Sequence, residues 1–301
     1  MAKSRPSSDA VRAKAQQMRE AQARKDRTTR MLIIGVVAAL VLAVVATVAV
    51  VIFNRLEEER RANSFDPAVL FGSYASGAPI LVSREGVGKA DPKLPTVHEY
   101  FDYTCHICAD LDVAAGTQIS DAAVNGEFNI AYVPVRTVDA AYHHVATGAV
   151  LVVAQEAPEH FLAFHHALLA YFQTQYKAND GTVVSDNLAS WRKVKEIAAS
   201  VGVPSEVTDN FPGAGVSKAY LDATTAAWGA TRYQGRAVND DGSTRYGTPE
   251  FAAGGVIAQY TSLDKDTVLA AIRAIAKNAP AWEDEMPQSG AAQSGAAQSG
   301  N

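Results

Sequence analysis

The sequence is poor in cysteine, with two in 301 residues. A fold stapled by several disulfides is therefore excluded, and so is a zinc site built from two C-x-x-C pairs. Basic charge is lacking where nucleic acid would need it. Nine of the 27 Lys and Arg fall in the first 30 residues, against three of the 32 Asp and Glu. The rest of the chain is net acidic, so no nucleic-acid face is expected. No two of the seven histidines stand four residues apart, the spacing that puts two ligands on one helix face. Long uncharged apolar runs are lacking too, with one exception: the 23 residues from Met31 to Phe53.

That exception sets the organisation of the chain. As a helix it measures about 34 Å, enough to cross a hydrocarbon core of about 30 Å. The basic excess lies on its N-terminal side, which therefore stays in the cytoplasm. Residues 1–30 read as a solvated cytoplasmic tail, disordered or frayed helix. Residues 31–53 read as a transmembrane signal anchor in contact with membrane lipid, making a single-pass protein of the cell membrane with the rest extracytoplasmic. The alternative, a cleaved signal peptide, fits less well because its apolar run is usually about 7–15 residues. Residues 54–94 carry Pro67, Gly72, Gly77, Pro79, Gly86, Gly88 and Pro92 and read as a tether, with a short edge strand at Ile80–Ser83. Residues 279–301 end in repeats of Gln-Ser-Gly-Ala-Ala and read as a disordered low-complexity tail.

Both cysteines lie in Phe101-Asp102-Tyr103-Thr104-Cys105-His106-Ile107-Cys108-Ala109-Asp110. Thr96 to Tyr103 is aromatic and β-branched and reads as a strand. Ala109 to Val124 has helical apolar spacing, with Gly116 its weak point. Cys105 then sits where a strand hands over to a helix N-terminus, where free N–H groups favour thiolate over thiol. A thiolate is the species that attacks a disulfide. A purely structural bridge would close a four-residue loop and stabilise by only about 2 kcal/mol. A metal would need more ligands than two thiolates. The redox reading of the pair is favoured. Glu99 shares a strand face with Val97, Phe101 and Tyr103. It is either a desolvated acid able to relay protons to a thiol or an exposed edge-strand glutamate, and the pattern leaves both open.

A second strand follows at Glu127–Val135, giving a strand–helix–strand unit that suggests a parallel pair. Residues 138–236 are helical in pattern. They hold the doublets His143-His144 and His165-His166 with His160 nearby. Adjacent residues on a helix point apart, so these read as partly buried helix histidines rather than a metal cluster. Trp191 and Trp228 read as core or groove aromatics. Thr248-Pro249 at a strand entry fits an edge position or a cis bond, and Gly254-Gly255 between apolar runs is a hairpin signal. Asp264 to Lys277 is an amphipathic closing helix that Asp264 or Asp266 can cap.

This order resembles the DsbA-like branch of the thioredoxin superfamily over residues 95–278. Phe101 to Cys108 is similar to the active-site run of that family, Gly247-Thr248-Pro249 to its cis-proline loop, and Pro158 to Leu169, with Phe161, Phe164, His165 and Leu168, to a helix of its insertion. The resemblance implies an α/β, thioredoxin-like fold with a helical insertion at 138–236, preceded by the single transmembrane helix. It implies an enzyme, a protein thiol–disulfide oxidoreductase, with Cys105 the exposed nucleophile, Cys108 the buried resolving thiol and Glu99 the buried acid. Pro249 would be cis against the sulfurs, and the backbone of Thr248 would pair with substrate. The redox-active disulfide Cys105–Cys108 would be the only reactive group, with no bound cofactor and no metal. Substrates would be exported proteins with free cysteines, and a membrane oxidase of DsbB or VKOR type would restore the disulfide. One departure stands out. Family oxidants often carry Pro-His between the cysteines, whereas this chain has His106-Ile107. His106 can still favour the thiolate, but the potential is left open between about −270 and −120 mV. The rivals are an extracytoplasmic reductant or isomerase, a membrane-tethered binding module, and a metal chaperone using the cysteines and a histidine.

Overall fold

The structure is a computed structural model, and it describes residues 8–282. The basic stretch from Ser8 and the apolar run form one continuous helix, α1 (Ser8–Ala62). It is long and apolar enough to cross a membrane, and Leu32, Ile34, Leu40 and Phe53 on it are exposed. The chain divides at Glu57 into two units. Of the tail expected at 279–301, residues 279–282 are described, and the Trp282 N–H donates to the Leu94 carbonyl at 2.9 Å; the rest lies outside the described residues.

From Glu58 onward the expected tether is instead part of the folded unit. The Ala62 carbonyl accepts from the Gly213 N–H at 2.7 Å. Helix α2 (Pro67–Phe71) is capped by Asp66 and buries Leu70 and Phe71. Strand β1 (Ile80–Ser83) turns into β2 (Gly86–Val87). The prolines and glycines here end short elements, a use of those residues that sequence pattern does not separate from a linker. β1 is also not the edge; β2 covers it.

The sheet order is β2-β1-β4-β3-β5-β6. β3 (Thr96–Phe101) leads into α3 (His106–Leu111), a wider π-type turn at Asp112–Gly116, α4 (Thr117–Val124) and β4 (Asn129–Pro134). β3 and β4 pair in parallel, with Glu99 opposite Tyr132. The helical insertion is α5 (Ala141–Glu156), α6 (Phe161–Lys177), α7 (Asn187–Ser200), α8 (Ser205–Thr208) and α9 (Lys218–Ala230). The chain returns through β5 (Glu250–Ala253), antiparallel to β3, and β6 (Val256–Ile257). Gly254 and Gly255 both take positive φ, 54° and 79°, as a two-residue hairpin turn requires. α10 (Lys265–Ala276) closes the unit, with Asp264 accepting from the N–H groups of Asp266 and Thr267. The arrangement β4-β3-β5-β6 with an insertion between its halves is the α/β, thioredoxin-like fold that the motifs imply.

β3 is central, and five of its six residues are buried. That decides the reading of Glu99: it is inside the sheet, not on an edge. Asn129 shows how firmly residues 91–94 are held. Its side-chain carbonyl accepts from Asp91 N–H at 2.8 Å, and its amide donates to Asp91 O at 2.9 Å and Leu94 O at 3.1 Å. Asn129→Ala should leave these buried groups without partners and destabilise the chain by about 2–3 kcal/mol. The fall in thermal midpoint measures it, and an unchanged midpoint would show that the segment is not anchored this way.

Candidate active site

β3 ends at Phe101, and four residues later Cys105 caps helix α3 with φ −85° and ψ 117°. A cap atom faces the free N–H groups of the first turn. Here that atom is sulfur, which accepts from the Cys108 N–H at 3.4 Å. On its other side the Cys105 thiol donates to the Thr248 carbonyl at 3.3 Å. Thr248–Pro249 is a cis peptide. The helix start and the loop before β5, 143 residues apart, thus meet at one sulfur.

The two thiols are free and electrostatically unlike. The Cys108 thiol donates to Cys105, and this hydrogen bond does most to draw Cys105 down to about 6. The Thr248 side chain and the backbone N–H groups of Cys108 and Ile107 add to it, against desolvation. Cys108 is pushed well up, first by burial and then by the neighbouring Cys105. At neutral pH the pair is one thiolate hydrogen-bonded by one thiol. Cys105 is not the exposed residue expected: it is 7% exposed. His106 does not face the sulfur either. Its exposed ring stacks on Tyr176, centroids 4.5 Å apart, so the thiolate is held by the helix start and Thr248.

Glu99, in the same central strand β3 that leads to the pair, is 5% exposed. Burial first, then the charge of Asp112, pushes its carboxyl well up. Both disfavour its charged form. Glu99, Cys105 and Cys108 all act on the Tyr260 hydroxyl, which donates to the Pro249 carbonyl at 3.2 Å. Acid, sulfurs and cis-proline loop therefore share one neighbourhood.

The residue that ties the site together is Asp102, to which the sequence reading gave no role. One carboxylate oxygen accepts from Thr104 N–H at 2.7 Å and Thr104 Oγ1 at 2.6 Å. The other accepts from the N–H groups of Thr137, Val138 and Asp139 at 2.9–3.2 Å. Thr137 Oγ1 then meets Thr248 Oγ1 at 2.9 Å. Burial opposes this charge, but His143 beside it and the hydrogen bonds from Thr104 and Thr137 outweigh burial and hold Asp102 at about 2. Asp102-x-Thr104 is a recognisable turn signal; the partners at 137–139 have none. His143, fully buried, accepts the Tyr103 N–H at Nδ1, 3.0 Å away.

Two further features frame the site. Glu250, next to Pro249, is bound by Arg236 through both oxygens and by the Trp228 indole N–H at 2.7 Å. Trp228 is therefore a support of the cis-proline loop. On the other side Thr104, His106, Val138, Phe172, Tyr176 and Val184 line an open pocket of about 300 Å³, beside exposed Ile107. The doublet His165-His166 is not simply two diverging rings: both approach Asp112.

This geometry can carry thiol–disulfide exchange. It offers a stabilised thiolate as nucleophile or leaving group, a second thiol within its reach, a buried proton source, and an apolar surface beside them.

No family model matches the chain, and no curated protein sequence matches it. Solved structures do. MdbA, a thiol-disulfide oxidoreductase from Actinomyces oris, is similar at 22% identity and a TM-score of 0.48, covering 60% of this chain and 79% of that one. Reduced DsbA from Mycobacterium tuberculosis is similar at 23% identity and a TM-score of 0.46, covering 66% and 92%. Oxidised BdbD from Bacillus subtilis is similar at 17% and 0.43, covering 67% and 94%. These are likenesses of backbone path, and the chemistry rests on the residues of this chain.

Thiolate absorbance of the reduced chain should rise in a single one-thiol step with its midpoint near pH 6, where Cys105 ionises. Cys108 should stay protonated through pH 9, so Cys105→Ser should remove the step. A midpoint near the ordinary thiol value of about 8.5 would contradict the cap geometry.

Proposed function

We propose that this chain is a membrane-anchored, extracytoplasmic thiol–disulfide oxidoreductase that donates the Cys105–Cys108 disulfide to exported proteins with free cysteines. One observation carries the reading: the cap sulfur of α3, drawn down to about 6, lies between a buried thiol and the carbonyl before a cis-proline. The anchor is α1, and the basic residues before its apolar run keep that end in the cytoplasm.

A substrate thiolate attacks Cys105 Sγ of the disulfide. A substrate–Cys105 bond forms, the Cys105–Cys108 bond breaks, and the electron pair leaves on Cys108. That sulfur is a poor anion in its buried surroundings. Glu99, whose charged form burial disfavours, supplies the proton. A second substrate thiolate then attacks the substrate sulfur, and Cys105 departs as the thiolate its cap stabilises. The substrate has lost two electrons and the pair has gained them. The backbone of Thr248 pairs with the extended substrate chain at Pro249, and the pocket beside His106 takes an apolar side chain. A membrane oxidase of DsbB or VKOR type returns the pair to the disulfide; no bound cofactor takes part.

A second reading has a specific observation behind it. C-x-x-C nucleophiles range from about 3.5 in strong oxidants to about 7 in reductants, and Cys105 lies toward the upper end. At pH 7 a drop from 9 to about 6 favours the reduced form by about 1–2 kcal/mol, or about 30 mV. That modest bias is compatible with a reductant or isomerase on the same site.

Cys108→Ser should accumulate a mixed disulfide through Cys105 when mixed with a disulfide-bonded peptide, and the additional change Cys105→Ser should abolish it. Glu99→Gln should slow reaction of the oxidised chain with a peptide thiol on the order of 10²-fold while the Cys105 titration stays in place. A tethered binding module without turnover would give neither result.

A further inference from the structure

The described residues contain one cluster of histidines and a carboxylate that touches neither the sulfurs nor the cis-proline loop in any hydrogen bond. It is built where α3 passes into its π-type turn and faces α6. Asp112 Oδ1 lies 2.8 Å from His166 Nδ1 and 3.7 Å from His165 Nε2. The three donor atoms all fall within 4.8 Å of one another. Wide turns of this kind concentrate at functional sites, and here the turn is shaped around the carboxylate. A Cβ on Gly116 would stand 2.3 Å from Asp112 Oδ1 and 3.1 Å from His166 Cε1, so only glycine admits this arrangement.

The Ser120 hydroxyl lies 3.1 Å from His166 Nε2 and holds the outer nitrogen of that ring. The inner nitrogen, Nδ1, faces the Asp112 carboxylate at 2.8 Å. His165 is fully buried. Its Nδ1 is taken by the Tyr103 hydroxyl at 2.9 Å, and its Nε2 has no hydrogen-bond partner. A buried polar atom left without a partner costs about 1–3 kcal/mol. It is aimed at the same carboxylate.

We propose that Asp112, His165 and His166 bind a divalent zinc ion. Two imidazoles and one carboxylate are a zinc donor set, with the fourth position of the tetrahedron left for water. Calcium and magnesium ask for oxygen ligands throughout, and cuprous copper for sulfur. Each ligating ring has its other nitrogen held, by Tyr103 or by Ser120, as ligand histidines ordinarily do. The half-buried His166 side gives the ion its entry. The ion cross-links the helix that carries Cys108 to the insertion helix α6. Adjacency of His165 and His166 does not defeat the site, because the turn brings the carboxylate between the two rings.

The test uses the untagged full chain in detergent with the Cys105–Cys108 disulfide closed, so that free thiols cannot chelate. Cobalt(II) serves as the spectroscopic probe and zinc as the competitor. One equivalent of cobalt should give visible d–d bands without sulfur charge transfer, and zinc should displace it. Zinc should raise the thermal midpoint. His166→Gln, at a partly exposed position, should weaken zinc at least about tenfold and abolish the zinc-induced rise while keeping the wild-type circular dichroism. The double variant Cys105→Ser with Cys108→Ser should bind as wild type does. Absence of saturable cobalt binding by the oxidised chain, binding retained in His166→Gln, or binding lost with the cysteines would each overturn the site.

Discussion

The site depends on a sulfur placed at a helix N-cap. The free N–H groups of α3 have to be satisfied, and Cys105 satisfies one of them with an atom that is better at it as an anion. That requirement couples secondary structure to reactivity: the thiolate is stabilised because the helix starts there. The same helix carries Cys108 inward, one turn on, where burial keeps it a thiol. Two chemically identical side chains three residues apart are thereby split into a leaving anion and a hydrogen-bond donor.

The cap would be of little use if the loops around it could drift. Asp102 prevents that by accepting hydrogen bonds from both sides, from Thr104 within the active-site turn and from the backbone at 137–139. Through Thr137 the restraint reaches Thr248. On the far side Arg236 and Trp228 grip Glu250, so the cis-proline is fixed from both ends. Charged groups buried in this way are costly unless every oxygen is occupied. Asp102 meets that condition by hydrogen bonds. Glu99 is pushed the other way by its burial, which favours its neutral form.

Much of this was legible in the sequence wherever the signal was local. The strand before Cys105, the C-x-x-C pair at a helix start, the Gly254-Gly255 hairpin and the capped closing helix α10 all follow from spacing and turn chemistry within a few residues. Thr248-Pro249 could be read because its place in the element order was telling. Other features depend on distant partners. Residues 54–94 look like a tether since glycines and prolines punctuate them, yet Phe71 and Ile80 are fully buried. Cys105 reads as exposed, but the Thr248 carbonyl of the cis-proline loop lies 3.3 Å from its sulfur. His106 turned out to stack on Tyr176, a residue of α6 with no sequence signal linking the two. The pattern around Glu99 fits edge or core alike, and the pairing of β5 with β3 makes it core.

The central claim is that Cys105 leaves as a thiolate and Cys108 as a thiol. Protons taken up per two electrons report this directly, through the potential of the pair measured against glutathione from pH 5 to pH 8. Each proton taken up with two electrons contributes about 30 mV per pH unit. The account predicts a slope of about 60 mV per unit below pH 6 that falls to about 30 mV above it, where only Cys108 takes a proton. The level at pH 7 belongs with that slope: less negative than about −200 mV for a disulfide donor, and near about −270 mV for a reductant. A slope that stays at about 60 mV through pH 8 would contradict the account, because both sulfurs would then be ordinary thiols.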